Sequence, residues 1–221
     1  MKTQVIIVAA GSGKRFGASI PKALTLLSGM PLVTYSLKIF EHCKAVNGII
    51  VVGHKGHLPR FTALCRGFKK VHAVVPGGAT RAASVKCGLA AVDADTDIVL
   101  VHDAARPLAN VAMVNRLIAA LRNNKAAIAA VPVKATVKKV DPRSLAVTET
   151  LQRNLLWEVQ TPQGFHKDVL VKAHACPFKG EATDDAMLVE RLGVKVKVVM
   201  GDHRNIKVTT QEDMVMAKGL M

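Results

Sequence analysis

The most constraining feature of this sequence is the alternation of short apolar runs with amphipathic stretches. The apolar runs are rich in Val, Ile and Ala, and they cover residues 5–10, 48–53, 71–75, 97–102 and 126–133. Runs of this length and composition predict strands that are buried on both faces. The stretches between them predict helices at 31–43, 80–91 and 111–123, the last of which is capped by Asn110. The alternation predicts an α/β fold with a mostly parallel, twisted sheet and helices on both faces.

Residues 134–155 interrupt this alternation. Segments 134–140 and 145–150 predict two strands joined by a turn, with polar and β-branched faces that have little to bury. We therefore expect 134–155 to project as a β-arm and to form a homodimer with a second copy of the chain. The alternative is a hairpin that folds back onto its own domain.

The α/β pattern returns after the arm and continues to the end of the chain. It predicts helices near 167–175 and 185–192, a strand at 194–200 and a helix from Gln211. No low-complexity linker or shift in composition marks a second domain. We expect one domain over residues 1–221, with 134–155 as its projecting dimerisation arm.

Composition excludes several classes of protein. Half of the 221 residues are hydrophobic, which is too many for a disordered chain and enough for one sizeable core. The sequence has no run of 18 or more apolar residues, and the strand predicted at 5–10 begins too early to follow a signal or transit peptide. We therefore expect a soluble, cytoplasmic protein without a membrane partner. The four cysteines form no CxxC pair, so we predict neither a metal site nor a disulfide among them.

The net charge of +15 is divided unevenly along the chain. Residues 1–92 hold 13 basic side chains and one acid, Glu41, whereas residues 93–221 hold 18 basic and 15 acidic side chains. The first part should present a positive field to an anionic partner, with solvated surface lysines as the alternative. A nucleic-acid partner is disfavoured, because the chain has one Trp, one Tyr and no interleaving of aromatic with basic residues.

A glycine-rich loop, residues 9–17, follows the first predicted strand. Its Gly-Lys pair precedes Arg15, which excludes a Walker A motif, and Phe16 stands where a dinucleotide fingerprint needs glycine. Two adjacent cations in the loop and Lys22 after it still suit a triphosphate. The backbone N–H groups available to phosphates belong to Ala9, Ala10, Gly11, Ser12 and Gly13.

A carboxylate, Asp103, ends the predicted strand at 97–102. An acid at this position is costly unless it is paired or bound to a metal, and it faces the phosphate loop, so we predict an Mg²⁺ ligand. The alternative is an ion pair with Arg106 or a helix cap. We expect His102 to pack or form hydrogen bonds rather than to bind metal.

A second glycine-rich segment, which contains the pair Gly77-Gly78, follows the strand predicted at 71–75. The glycines allow close approach of the backbone, and Arg81 and Ser84 should lie on one face of the next helix. Taken alone, this segment reads as an ordinary loop and cap.

Together these motifs resemble the nucleotidyltransferases that join CTP to a sugar-alcohol phosphate. The similarity is strongest to the cytidylyltransferases of 2-C-methyl-D-erythritol 4-phosphate in the non-mevalonate isoprenoid precursor pathway. It continues through Thr161-Pro162-Gln163, Thr183-Asp184 and 205–209, and so covers nearly the whole chain. The resemblance implies a Rossmann-like fold of the nucleotidyltransferase type, with CTP and the sugar-alcohol phosphate as substrates.

The resemblance also implies roles for individual residues. Arg15, Lys22 and Lys207 are the implied catalytic cations at the reacting phosphates, and Asp103 is implied to hold Mg²⁺ or another divalent cation. The implied nucleotide contacts beyond the first loop are Gly78, Arg81, Ser84 and Ala104. The implied acceptor contacts are Arg106, Thr183 and, from the arm of the partner subunit, Thr136 and Arg153.

The sequence departs from the family pattern at three positions. Ala79 replaces an acid that often follows the glycine pair, which removes one of the contacts to the base that the resemblance implies. Arg204 stands where aspartate is frequent, so any role for an acid there is lost or passes to Asp202. Ala23 replaces a frequent glutamine, but the Pro-Lys core before it is intact.

Three alternatives to this function remain at this point. Ribitol-5-phosphate cytidylyltransferase is the rival within the same class, and the Ala104-Ala105 pair and 205–207 favour methylerythritol phosphate over ribitol phosphate. A basic nucleic-acid-binding protein and a non-catalytic CTP sensor belong to other classes. The presence of Arg15, Lys22, Asp103 and Lys207 disfavours the sensor.

Overall fold

Seven strands form the central sheet in a computed structural model that describes residues 1–11, 13, 16, 20–177, 180 and 182–221. Their bounds are β1 Thr3–Ala9, β4 Gly48–Gly53, β5 Val71–Pro76, β6 Ile98–Asp103, β7 Ala126–Pro132, β10 Trp157–His166 and β11 Val196–Met200. The order of the strands across the sheet is β11-β7-β10-β6-β1-β4-β5. Strand β10 is antiparallel to both of its neighbours, and all the other pairings are parallel. The prediction of an α/β fold with a mostly parallel sheet is confirmed.

Seven α-helices accompany the sheet in the described part of the chain. They are α1 Leu32–His42, α2 Leu58–Cys65, α3 Arg81–Leu89, α4 Val111–Ala120, α5 Lys167–Ala175, α6 Asp185–Glu190 and α7 Gln211–Gly219. The Asn110 side chain caps α4 by accepting a hydrogen bond from the Met113 amide, as predicted. None of the helices described here is long and apolar enough to cross a membrane.

The core lies on both faces of the sheet. Every residue of β4 and β6 is buried, as expected of parallel strands that helices cover on two sides. One apolar cluster joins the sheet to α1, α2 and α4, and a second joins the sheet to α3, α5 and α6. These helices hold the ends of the strands in fixed positions, and so they also fix the loops that follow the strands.

One helix and three strands were not predicted from the sequence. They are helix α2, strand β10, and a short antiparallel pair of β2 (Leu26–Leu27) and β3 (Met30–Pro31). Strand β10 escaped prediction because its buried middle is polar: Gln160, Thr161 and Gln163 are all buried. Its packing depends on hydrogen bonds rather than on an apolar run.

The predicted hairpin is present, with shorter strands than expected. Strand β8 (Lys138–Val140) pairs only with β9 (Val147–Thr150), and every residue of both strands is exposed. Asp141 organises the turn, since its carboxylate accepts hydrogen bonds from the Arg143 and Ser144 amides. These two strands therefore do not fold back onto the domain, and dimerisation through the arm stays a prediction.

Candidate active site

A cleft of about 830 Å³ opens at the carboxyl ends of the parallel strands. The chain passes from β1 to β4 and β5 on one side of the sheet and then returns to β6 on the other side, so the strand order reverses between β1 and β6. Ligands of α/β proteins bind outside such a reversal point. The lining includes Ala9, Ala10, Gly11, Lys22, His54, Lys55, Gly77, Gly78, Ala79, Arg81, Ser84, Asp103, Ala104, Ala105, Thr183 and Lys207.

Two glycine-rich segments meet in this cleft. A Cβ atom on Gly77 would lie 2.2 Å from the Cβ atom of Ala10, so only glycine permits this approach. The Ser84 hydroxyl accepts a hydrogen bond from the Gly78 amide at 3.1 Å, and Thr80 caps α3. The loops after β1 and β5 therefore meet and form one wall of the cleft.

Asp103 is the last residue of β6, and its carboxylate faces this wall. Its Oδ1 accepts a hydrogen bond from Arg81 Nε at 3.1 Å, and its Oδ2 accepts one from Lys207 Nζ at 2.6 Å. Burial raises the pKa of the Asp103 carboxyl, but the charges of Arg81 and Lys207 outweigh burial and hold the pKa well below its usual range. The alternative of an ion pair with the Arg106 side chain is wrong, because that guanidinium donates to the backbone oxygens of Asn205 and Val159.

Lys22 and Lys207 lie at the same end of the sheet although 185 positions separate them in the sequence. The buried Asn205 side chain anchors the segment before Lys207, since it donates to the Thr161 oxygen at 3.0 Å. The Val208 amide donates to the Ala105 oxygen at 2.8 Å, and Lys22 Nζ donates to the Val208 oxygen at 2.6 Å. The Asn-Ile-Lys segment thus joins the loop after β6 to the lysine that follows Pro21.

His102 lies behind Asp103 and is fully buried. Its ring packs edge-on against Phe40 with centroids 5.1 Å apart, and its Nδ1 lies 3.3 Å from Thr161 Oγ1. Burial lowers its pKa to about 4. The expectation that His102 packs rather than binds metal agrees with these contacts.

The predicted acceptor contacts divide into two groups. Arg106 and Thr183 border a smaller cavity of about 240 Å³, which Arg81, Asp103 and Lys207 also line. Thr136 and Arg153 are exposed on the arm segment and line neither of these two cavities. A single chain therefore brings together half of the predicted acceptor set, and the role of the other half stays a prediction.

Two predicted residues, Ser12 and Arg15, lie outside the described residues. Their neighbour Gly13 has a φ of +69°, a backbone conformation that favours glycine, and it packs against Lys22. The remaining members of the predicted first loop, Ala9, Ala10 and Gly11, line the cleft.

The sequence reasoning missed a set of polar residues behind Arg81. Arg81 Nη1 donates to Asp185 Oδ2 at 2.7 Å, and Asp185 Oδ1 lies 2.9 Å from His174 Nε2. Gln163 Nε2 donates to Asp184 Oδ2 at 2.7 Å, and the Asp184 side chain caps α6. Thr161-Pro162-Gln163 and Thr183-Asp184 were recognised as motifs, and those motifs were the only signal for this layer.

The charges of the cleft suit a polyphosphate. Lys22, Lys55, Arg81 and Lys207 line the cleft together with one carboxylate, Asp103. The described residues contain no group of three or more His, Cys, Asp or Glu side chains that could enclose a metal ion. One carboxylate is still enough for Mg²⁺, which proteins often hold by one or two carboxylates together with substrate phosphates. The single carboxylate therefore fits a metal that is held jointly with phosphates.

Comparison with known proteins gave full-length matches. Residues 3–221 match the family model described as 2-C-methyl-D-erythritol 4-phosphate cytidylyltransferase. Proteins of that name from Alkaliphilus oremlandii and Geobacter metallireducens are 43% and 44% identical to this chain; each alignment covers all of this chain, and 95% and 98% of those proteins respectively.

Solved structures gave the same result. The 4-diphosphocytidyl-2C-methyl-D-erythritol synthase of Anaerococcus prevotii superposes with a TM-score of 0.87 at 34% identity, covering 99% of this chain and 95% of that one. The 2-C-methyl-D-erythritol 4-phosphate cytidylyltransferase of Thermus thermophilus superposes with a TM-score of 0.80 at 32% identity, covering 100% and 98%.

Proposed function

This chain belongs to the 2-C-methyl-D-erythritol 4-phosphate cytidylyltransferase family, and we propose on that premise that it transfers CMP from CTP to 2-C-methyl-D-erythritol 4-phosphate. The products are 4-diphosphocytidyl-2-C-methyl-D-erythritol and pyrophosphate. The observation that carries the proposal is the cleft at the ends of β1 and β6. There, two glycine-rich loops, Asp103 and the cations Lys22, Arg81 and Lys207 meet.

The reaction needs positioning and charge neutralisation more than it needs a base. A phosphate oxygen of the acceptor, already ionised near pH 7, forms a bond to the α-phosphorus of CTP. The bond from that phosphorus to the β-phosphate oxygen breaks, and pyrophosphate leaves with the electron pair. Lys22 and Lys207, with Arg15, hold the two mutually repelling anions in line and neutralise the charge that develops.

We propose that Asp103 holds Mg²⁺ when CTP binds. The ion would neutralise part of the charge of the phosphates. Both Asp103 oxygens accept hydrogen bonds from cations, so we propose that Lys207 shifts from Asp103 towards the phosphates when the nucleotide binds. Lys207 would then contact the reacting phosphates in place of Asp103.

The arm supplies the remaining acceptor contacts in this proposal. Large apolar side chains between 140 and 159 are exposed, among them Leu145 at 75%, Leu155 at 69% and Val147 at 58%. An exposed apolar surface of this kind is typical of an interface. We propose that the arm packs on a second copy of the chain and presents Thr136 and Arg153 to the partner's cleft.

Release of pyrophosphate from CTP tests the function and separates it from its nearest rival. Purified protein is incubated with CTP, Mg²⁺ and either 2-C-methyl-D-erythritol 4-phosphate, ribitol 5-phosphate or no acceptor. We expect release only with the methylerythritol phosphate. UTP is tested in parallel, because Ala79 lines the cleft and offers no carboxylate to read the base. Pyrophosphate release with ribitol 5-phosphate but not with 2-C-methyl-D-erythritol 4-phosphate would contradict the proposal.

A further inference from the structure

A chain of alternating charges runs from the cleft into the protein interior. Lys207 pairs with Asp103 at 2.6 Å, Asp103 with Arg81 at 3.1 Å, and Arg81 with Asp185 at 2.7 Å. It ends at His174, whose Nε2 lies 2.9 Å from the second oxygen of Asp185. An ionised carboxylate can only accept hydrogen bonds, so Nε2 carries the proton of this contact.

The two inner residues of this chain, Asp185 and His174, are more buried than Lys207, Asp103 and Arg81, which line the cleft. The side chain of Lys207 is 40% exposed and that of Arg81 is 22% exposed, whereas His174 is 4% and Asp185 is 1% exposed. A buried carboxylate is costly unless partners satisfy it. Arg81 and His174 each satisfy one oxygen of Asp185. The Asp185 carboxylate is thereby fixed in orientation from both sides.

The arrangement restrains Arg81 to one contact with the cleft carboxylate. Its Nε bonds Asp103 and its Nη1 bonds Asp185, while its buried Nη2 has no partner among the described residues. A free guanidinium prefers to grip one carboxylate with two parallel N–H groups. Without Asp185, Arg81 could turn and bind Asp103 through two nitrogens, which would occupy the lone pairs that face the cleft.

From this geometry we propose that Asp185 and His174 are positioning residues for nucleotide binding. Asp185 fixes the orientation of the Arg81 guanidinium, so that the Asp103 carboxylate stays available to Mg·CTP. His174 in turn fixes the orientation of the Asp185 carboxylate. Neither residue lines the larger cleft, and both act through Arg81. This inference rests on the proposed function, because it takes CTP as the ligand of the cleft.

Two effects of removing the Asp185 charge have opposite signs. Loss of a negative charge behind Arg81 makes the cleft more positive, which favours a bound triphosphate. Loss of orientation lets Arg81 compete for Asp103, which disfavours the metal-bound nucleotide. The proposal requires the second effect to exceed the first, so the sign of the change in affinity decides it.

Calorimetric titration of the full chain with Mg·CTP measures this sign directly. We expect Asp185→Asn and His174→Leu each to raise the Kd for Mg·CTP by about tenfold, the scale of one lost hydrogen bond to a charged group. His174→Gln keeps an N–H donor near the position of Nε2 and should stay within about twofold of the wild type. Glu190→Gln, at the exposed end of α6, is the matched control and should bind as the wild type does.

A change in the KM for one substrate but not for the other separates a positioning role from general damage to the fold. We expect the KM for CTP to rise in Asp185→Asn and His174→Leu while the KM for 2-C-methyl-D-erythritol 4-phosphate stays near its wild-type value. Unchanged or tighter binding of Mg·CTP by folded Asp185→Asn overturns the proposal. If that variant does not fold, equal affinities of His174→Leu and His174→Gln overturn it instead.

The outcome also separates this inference from the proposed function. A wild-type chain that binds no Mg·CTP contradicts both proposals. A wild-type chain that binds CTP and turns over, while His174→Leu has the affinity of the wild type, contradicts only the positioning role.

Discussion

Asp103 shows how one residue can combine structural and chemical roles. It ends a strand whose every residue is buried, and the Thr161 hydroxyl accepts a hydrogen bond from its amide at 3.0 Å. Its carboxylate is charged because Arg81 and Lys207 hold its pKa low despite burial. Its place at the strand end could be predicted from the sequence. Its partners could not, because Arg81 and Lys207 are 22 and 104 positions away.

His102, the neighbour of Asp103, makes the stability of the fold depend on pH. Burial lowers its pKa from the ordinary 6.5 to about 4, so the unfolded chain takes up a proton first as the pH falls. The contribution of neutral His102 to the free energy of unfolding is therefore fully present above pH 6.5. It is lost as the pH falls towards 4, and the loss amounts to about 3 kcal/mol. Urea unfolding between pH 7 and 4.5 should show a steeper loss of stability for the wild type than for His102→Gln. Parallel stability curves for the two proteins would contradict this account.

Whether a helix or strand could be predicted from the sequence depended on the interactions that stabilise its packing. Strands β4 and β6 were predicted because Val, Ile and Leu fill them, and helix α4 because Asn110 marks its start. Strand β10 was missed because its buried Gln160 and Gln163 are satisfied by tertiary hydrogen bonds, to the Asp202 backbone oxygen and the Asp184 side chain. The periodicity of apolar residues in a sequence indicates apolar burial, but it does not reveal hydrogen-bond partners that are distant in the sequence.

The contact between the loops after β1 and β5 can be tested at Gly77, because the absence of a side chain there lets the two loops touch. Gly77→Ala would place a methyl group 2.2 Å from the Cβ atom of Ala10 and should destabilise the fold by about 1–3 kcal/mol. Weaker CTP binding should accompany this loss. Gly67→Ala is the control, since nothing lies within 4 Å of its added Cβ atom. Equal unfolding midpoints and CTP affinities for the two variants would show that the loops do not need this approach.

The whole molecule carries more positive charge than its site uses. Lys22, Lys55, Arg81 and Lys207 line the cleft, whereas other cations of residues 1–92, such as Arg66 and Lys69, are exposed and do not line it. Fields of this sign can steer anionic substrates towards the cleft. The motifs of the site were readable from the sequence, but this surplus of surface charge has no counterpart in the proposed chemistry.

The oligomeric state is the prediction that belongs to the whole molecule. Leu145→Asp combined with Val147→Asp places charges on the exposed arm, so we expect a dimer of the wild type to dissociate into monomers in light scattering after size exclusion. Turnover should fall with dissociation, because Thr136 and Arg153 act on the partner's cleft in the proposal. Val215→Asp, on α7 with 74% exposure, is the control. A monomeric wild type with full activity would contradict the role of the arm.

The central claim is that the cleft at the ends of β1 and β6 carries out the transfer, and Lys22 tests it most directly. Steady-state pyrophosphate release from CTP and 2-C-methyl-D-erythritol 4-phosphate is measured for the wild type, Lys22→Ala and the exposed control Lys44→Ala. We predict that Lys22→Ala lowers kcat by a factor of about 100 or more, the scale of one lost electrostatic contact to the transition state. Its unfolding midpoint should change little, and Lys44→Ala should match the wild type. A folded Lys22→Ala variant with wild-type turnover would contradict the assignment of the site.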